Sequence, residues 1–156
     1  MAAPAALANQ VADALVAQLA VIDSTDGSNQ WRTKPATIAR TLKADALVIA
    51  QRPILAVEVA SGEVTELGAS RHREIIELVV TAITDSQLKK PEQAAMDLVA
   101  DVLFAITKNE YMTNLLAEPI RAGRWEIDTE AVTASGLGVA TLRLACVVDY
   151  DHSVQP

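Results

Sequence analysis

Apolar residues in the first part of the chain recur at the spacing of a single helical stripe. Between Ala5 and Ile22 they stand three or four positions apart, which is the pattern of an α-helix that buries one side. Pro4 suits the first turn of such a helix, and the polar residues 24–29 predict its end. The stripe is narrow, so we expect this helix to lie on the surface of a sheet. Its members are Leu7, Val11, Leu15, Leu19 and Ile22.

Short alternating patterns in the next part of the chain predict strands. Residues 36–42 alternate in polarity, and Pro53 introduces a clearer strand from Ile54 to Ala60. The Ser-Gly-Glu sequence at 61–63 has the composition of a hairpin turn after that strand. The brief apolar run 46–50 fits a strand and a helical turn equally well.

A long run that is rich in β-branched residues, 71–84, predicts a central strand. A helix can also be drawn through this run, but its isoleucines, valines and threonines favour extended backbone. Both of its faces are apolar. We therefore expect it in the middle of the sheet and covered on both sides.

The most regular helical pattern begins at Pro91 and continues to about Lys108. A short helical piece from Tyr111 to Ala117 and a strand from Ile120 to Val132 are predicted after it. That strand is expected to pair with the last element through a turn at 133–136. The apolar stripe of the helix is Met96, Val99, Val102, Leu103 and Ile106.

The last element, from Gly136 to Tyr150, has a long period-2 pattern. One set of alternate positions is almost wholly apolar, and the other set is mixed and includes Arg143. We expect the apolar face to lie on the core and part of the mixed face to be covered by a helix or a neighbouring subunit. The apolar set is Leu142, Leu144, Cys146, Val148 and Tyr150.

The order of these elements predicts one α+β domain over residues 1–156. Helices and strands do not alternate regularly, as they would in a parallel βαβ fold. We expect a mostly antiparallel sheet of four to five strands, with two main helices packed on it and a C-terminal β-hairpin.

Composition and charge narrow the function classes. Aromatic residues make up only 3% of the 156 residues, so few side chains are available for stacking on bases or sugars. The formal net charge of −7 disfavours binding to a polyanion such as nucleic acid. The sequence contains no run of apolar residues as long as a membrane span and no signal-peptide pattern, so we expect a soluble protein made in the cytoplasm.

Two features of the first half leave alternatives open. The segment from Arg32 to Arg52 carries five basic residues against the single acid Asp45, and it is either a functional basic patch or an ordinary solvated surface. In the loop before it, Trp31 is either tucked over an edge of the core or an anchor in a protein interface.

Candidate chemistry is sparse. The single cysteine, Cys146, excludes an intramolecular disulfide, and its place on an apolar face predicts a buried, inert thiol. His72 and His152 each lack a second metal ligand at suitable spacing. Asp97 and Asp101 share one helical face and could serve a cation, but their position opposite the apolar stripe favours solvated carboxylates. We predict no catalytic, cofactor-binding or metal-binding residues.

Several segments, taken in order, carry a resemblance to a known family. They are the amphipathic first helix, the short strand TIARTL, the strand RPILAVEV, the long strand EIIELVVTAIT and the helix AMDLVADVLFAIT. A strand containing Trp and Glu then leads through a turn of small residues into GVATLRLACVVDY. This succession, over about residues 7–150, resembles the tail terminator proteins of tailed bacteriophages, also described as tail completion or head-to-tail joining proteins.

The resemblance implies a non-enzymatic virion protein without cofactors. It implies a homo-oligomer, a hexameric ring, that caps the tail tube, ends its growth and offers a surface to the neck. The implied partners are the tail tube protein on one side and a neck or head-completion protein on the other, with DNA passing through the lumen without specific binding. The protein would be made in the bacterial cytoplasm and reside in the tail or neck of the virion. Candidate contacts with subunits or partners are Trp31, Arg32, Arg40, Trp125 and Arg143.

Two other functions fit a subunit of this type. The first is another adaptor of the neck or another ring that caps a tube. The second is a small enzyme with an active site at a subunit interface, which would use Asp97, Asp101 or His72.

Overall fold

A computed structural model describes residues 4–40, 52–68, 70–84, 90–130 and 136–151. The predictions for 46–50, for Val132, for His152 and for most of the turn at 133–136 lie outside these ranges. The elements in chain order are α1 (Pro4–Leu19), β1 (Thr37–Ala39), β2 (Ile54–Glu66), β3 (Arg71–Ile83), α2 (Pro91–Thr107), β4 (Arg121–Ile127) and β5 (Val139–Asp151). The fold is therefore α+β, as the sequence predicts.

The five strands form one sheet in the order β1-β2-β3-β5-β4. β1 pairs with β2 in parallel, and the other three pairs are antiparallel. The central position of β3 confirms the prediction made from its two apolar faces. The pairing of β4 with β5 agrees with the predicted C-terminal hairpin.

The core lies between the two helices and one face of the sheet, which we call the helix face. The predicted stripe of α1 is buried, and the main cluster joins it to α2 and to the helix-face residues Leu55, Leu78 and Leu144. The opposite face has few buried core residues: Ile54, Ile83 and Leu137 form a small second cluster, and Ala56 and Val147 are buried as well. Ile75 of β3 is 40% exposed on that face. The expectation that β3 is covered on both sides is therefore wrong for the described part of the chain.

β2 corrects the predicted turn at 61–63, because the strand continues through it. A register shift between Val59 and Ser61 marks a β-bulge, and pairing with β3 then resumes up to Glu66. The reversal comes later, where the N–H of Leu67 donates to the carbonyl of Arg71 at 2.8 Å. Gly62 is not a turn residue here, since a Cβ at this position would lie 2.9 Å from Oε1 of Glu74. Its missing side chain makes room for that buried carboxyl group.

The buried stripe of α2 is rotated relative to the prediction. Leu98 and Asp101 are buried, whereas Met96 is exposed. After this helix, the segment predicted as a short helix is a series of turns. Met112, Thr113 and Asn114 have φ values of 48°, 56° and 67°, which a right-handed helix does not allow.

Gly138 fixes the start of β5 against the start of α2. A Cβ at this glycine would lie 1.9 Å from the carbonyl oxygen of Pro91, so no other residue fits without movement of the backbone. The N–H of Gly138 donates to Oγ1 of Thr84 at 2.7 Å, and the N–H of Thr84 donates to the carbonyl of Gly138 at 2.9 Å. One glycine thus joins the ends of β3, α2 and β5.

Candidate functional site

Asp101 is buried and holds the loop that follows α1. Its carboxylate accepts hydrogen bonds from the backbone N–H of Arg32 at 3.0 Å and of Thr33 at 2.7 Å, and from the Thr33 hydroxyl at 2.5 Å. One turn earlier, Asp97 forms an ion pair of 3.5 Å with the exposed guanidinium of Arg32. The prediction that both carboxylates are solvated is wrong for Asp101, because the loop supplies donors that the helical pattern alone does not reveal. Donors from this loop therefore contact both acids.

Trp31 is buried against α2, which confirms the interpretation that it is tucked over an edge of the core. Its ring meets that of Phe104 edge to face, with 5.2 Å between the centroids. Nζ of Lys108 lies 4.7 Å from the centroid of Phe104 and 5.7 Å from that of Trp31, and it donates to Oε1 of Gln30 at 2.7 Å. Phe104 and Lys108 form the exposed part of this cluster.

A cavity of about 600 Å³ lies beside the cluster, between the C-terminal ends of α1 and α2. Nε2 of Gln18 donates to the carbonyls of Ala105 and Asn109 at 2.9 Å and 3.3 Å, so this side chain binds the end of α2. The walls are mainly apolar, and the polar lining groups are amides, a hydroxyl, Asp26 and Lys108. Such a lining can enclose an apolar group, but it does not pair an acid with a base.

The basic residues of the segment from Arg32 to Arg52 are largely neutralised within the chain. Arg40 donates to Oδ1 of Asp13 at 2.6 Å and to the carbonyl of Asn9 at 3.2 Å, which joins the end of β1 to α1. Nζ of Lys34 lies 3.7 Å from Oδ1 of Asp23. Lys43 lies outside the described residues. The described members therefore favour the interpretation of a surface with local ion pairs over that of a basic patch.

Trp125 lies on β4 and faces the helix side of the sheet. It is opposite Leu142 and 47% exposed. Together with Val99 and Leu103 of α2 it lines a groove of about 180 Å³ whose walls are apolar. The exposed Met96 also lines the groove. A large apolar surface of this kind on a strand at the sheet edge is typical of a contact region.

Arg143 lies on the opposite face of the sheet, in the middle of β5. It is exposed and forms an ion pair with Glu77 of β3. It also lines a cleft of about 250 Å³ with Arg121 and Arg124, at the bulge that β4 makes around Gly123. The sequence predicts that a helix or a neighbouring subunit covers part of this face. No described helix packs on this stretch. Coverage by a neighbouring subunit stays a prediction.

The same face carries a second group of ion pairs nearer the end of β5. Nε of Arg73 donates to Oδ1 of Asp149 at 2.7 Å, and its Nη1 lies 3.4 Å from Oε1 of Glu118. The hydrogen bond and the positive charge of Arg73 lower the pKa of Asp149. These pairs order the surface without concentrating one sign of charge.

Glu74 is a buried acid that the sequence analysis missed. It shares the helix face with Ile76 and Leu78, at positions that alternate along β3, and is 4% exposed. Burial raises the pKa of its carboxyl group, and its Oε2 has no hydrogen-bond partner among the described residues. The signal was available, since period 2 places residue 74 on the same face as residues 76 and 78.

Cys146 and the other candidate reactive groups occupy structural positions. The thiol is fully buried, and burial raises its pKa to about 12. The ring of His72 stacks on that of Tyr150, with 5.6 Å between the centroids. Within the described ranges there is no group of three or more His, Cys, Asp and Glu residues able to hold a metal ion.

The five predicted contact residues do not form a single site. Trp31 and Arg32 lie beside α2, Arg40 is bound to α1, and Trp125 and Arg143 lie on opposite faces of the sheet. Of the helices that the structure describes, none is both long and apolar enough to span a membrane. Comparison of the sequence with models of known protein families, and with curated proteins, finds no match.

Proposed function

We propose that this protein is a virion structural protein of the tail terminator type. It forms a ring at the head-proximal end of the tail tube, ends the growth of the tube and joins the tail to the neck. The proposal combines the resemblance of the element order to that family with surfaces of the subunit that suit assembly.

The exposed second half of β2 is the observation that carries the proposal. Every residue from 58 to 66 is exposed, although the strand alternates between two faces. Val59 and Val64 are among the exposed large hydrophobic residues. A strand with exposed valines and an edge that no described strand pairs with is typical of a surface that another subunit buries.

The state of the candidate catalytic groups supports a structural role over an enzymatic one. Four donor groups of the 31–33 loop contact Asp101 and Asp97, and all four would have to leave before these acids were free for chemistry. The pKa of about 12 leaves the Cys146 thiol protonated at neutral pH. An interface enzyme that relies on these residues would first have to break contacts that hold the fold.

The charge of the chain supports a lumen that DNA crosses without being held. The formal net charge is −7, and the described basic residues Arg32, Lys34 and Arg40 each lie beside an acid. A surface of this type lacks the uncompensated positive charge that gives tight binding to a phosphate backbone.

Deletion of the gene from the phage that encodes it tests the proposal. We expect tails of uncontrolled length, or finished tails that fail to join heads, in electron micrographs of the lysate. Expression of the wild-type gene from a plasmid restores joined virions of normal tail length. Normal virions in the absence of the protein would overturn the proposal.

Labelling of the protein in wild-type virions separates the terminator from another adaptor of the neck. A gold-labelled tag at the head-proximal end of isolated tails supports the terminator. A tag that stays with tailless heads supports the adaptor and contradicts the proposal.

A further inference from the structure

The sheet ends on both sides in a strand edge that no other described strand pairs with. On one side, β1 pairs with residues 54–56 of β2, so no strand of the described residues pairs with the outer edge of residues 58–66. On the other side, β4 pairs with β5 alone, and six of its seven residues are exposed. The backbone N–H and C=O groups along such edges are able to pair with a strand of another chain.

The directions of the two edge strands suit a head-to-tail arrangement. β2 is antiparallel to β3, β3 to β5 and β5 to β4, so β2 and β4 run in opposite directions. If a second copy stands beside the first in the same orientation, its β2 is antiparallel to β4 of the first. The extended sheet then continues the antiparallel pairing that each subunit already has.

The helix face of the two edges carries exposed apolar side chains. Val59 and Val64 of β2 pair with Leu78 and Glu74, which are buried on that face, yet the two valines are 37% and 48% exposed. Trp125 of β4 lies on the same face beside the apolar groove of α2. In a head-to-tail pair the valines of one copy and Trp125 of the other therefore lie on the same face of the continued sheet.

On the opposite face, the edge of β2 carries acids and the edge of β4 carries arginines that lie beside acids of their own segment. On β2, Glu58 and Glu63 pair with Val79 and Ile75 and are exposed, and neither forms an ion pair with a described residue. On β4, Arg121 and Arg124 have exposed side chains, with fractions of 66% and 78%. Their acid partners, Glu118 and Glu126, lie within the same short segment. Acids on one edge and arginines on the other complement each other across a contact.

The same charges disfavour the symmetric alternatives. Two copies that pair through β2 would bring Glu58 and Glu63 of both chains together, and pairing through β4 would oppose the arginines. A contact between two different edges is heterologous, and it gives a ring when the rotation between the copies closes.

We propose that the exposed half of β2 in one copy pairs with β4 of the next copy, so that the sheet continues from subunit to subunit. The occupant of the apolar groove beside Trp125 is then the β2 strand of a second copy of this chain. The inference rests on the proposed function for its place in the virion, and it names the surface through which the ring forms.

Charge reversal on each edge tests the pairing. The variants E58R/E63R and R121E/R124E are each expected to weaken self-association about tenfold or more, because attraction across the contact becomes repulsion. In a mixture of the two variants every contact between unlike copies has matched charges, so copies that alternate should assemble. The fourfold variant that carries all the changes has matched charges at every contact. The fourfold variant should therefore regain assembly, as measured by native mass spectrometry and analytical ultracentrifugation.

A matched control changes the same kind of charge elsewhere. Glu92 is exposed in the first turn of α2 and belongs to neither edge strand. The variant E92R should assemble like the wild type. Circular dichroism and thermal melting of all variants separate lost assembly from lost folding. The variant W125S removes an exposed ring from the proposed contact and should also weaken assembly.

The outcomes distinguish this inference from the proposed function. Rings that survive both single-edge reversals, or a wild-type protein that stays monomeric at all concentrations, would overturn the pairing. Rescue by the fourfold variant together with normal virions after gene deletion would keep the pairing and overturn the tail terminator function. Tails of uncontrolled length, or tails that fail to join heads, after deletion, together with assembly unaffected by either reversal, would keep the tail terminator function and overturn the pairing.

Discussion

The carboxylate of Asp101 accepts the backbone N–H of Thr33 at 2.7 Å, across 68 positions of sequence. Asp101 is 2% exposed, and its remaining contacts go to the Thr33 hydroxyl and to the N–H of Arg32. A charged acceptor on a helix thus supplies the backbone partners that the loop lacks. Trp31, the residue before these donors, is held at the edge of the core by this attachment.

Replacement of Asp101 by Asn should destabilise the protein by about 2–3 kcal/mol, because an amide turns one acceptor into a donor that faces the N–H groups of the loop. The amide protons of Arg32 and Thr33 should then exchange with solvent much faster. Urea unfolding measures the first effect and hydrogen exchange by NMR the second.

The control is D97N, one helical turn earlier, where the ion pair with Arg32 is largely solvated. It should cost less than about 1 kcal/mol. Equal losses in the two variants would contradict the role assigned to Asp101.

Replacement of Gly138 by Ala should lower the free energy of unfolding by about 3 kcal/mol, because the added Cβ would lie 1.9 Å from the carbonyl oxygen of Pro91. The backbone of β5 or the first turn of α2 has to move. Thermal melting followed by circular dichroism reports the loss. Gly68→Ala is a suitable control, since a Cβ at Gly68 meets no atom within 4 Å, and it should melt close to the wild type.

The buried carboxyl group of Glu74 should make the folded state less stable as the pH rises. Burial raises its pKa above the ordinary value of 4.5, so the folded protein holds this proton more tightly than the unfolded chain does. The stabilising contribution is complete below pH 4.5 and is lost as the pH rises through the folded-state pKa.

Glu74→Gln, which does not ionise, should therefore gain stability relative to the wild type over that rise in pH. Urea unfolding at a series of pH values, at one protein concentration, measures the difference. Glu63→Gln, an exposed acid on the neighbouring strand, should show a nearly constant difference. A constant difference for Glu74→Gln as well would show that its carboxyl group is ionised equally easily in both states.

The thiol of Cys146 should react very slowly in the native protein. A rise in its pKa from 9.0 to about 12 reduces the thiolate fraction near pH 8 about a thousandfold, and the side chain is fully buried as well. Stopped-flow or spectrophotometric measurement with a thiol-specific disulfide reagent should give one equivalent per chain in denaturant and very little in buffer. Rapid reaction in buffer would place the thiol at the surface.

Periodicity alone determined most of the elements. The 3.6-residue spacing of Leu7, Val11 and Leu15 predicts both the first helix and its buried side. The 2-residue spacing in β5 likewise predicts the buried set that includes Leu142 and Leu144. These predictions succeed because the period is set by the geometry of one element, and the apolar residues of that element share one side.

Tertiary structure decided the features that depend on two distant segments. Gly62 has the composition of a turn, but it lies within β2 because the carboxyl group of Glu74 occupies the space of its missing side chain. Asp101 has the spacing of a solvated acid, but it is buried because the loop after α1 brings donors to it. Neither partner is close in sequence, so no local pattern contains the information. The sequence by itself determined most of the helices and strands and which way most of their residues face. Only the fold decided which polar groups meet, since hydrogen-bond partners are chosen by position in space.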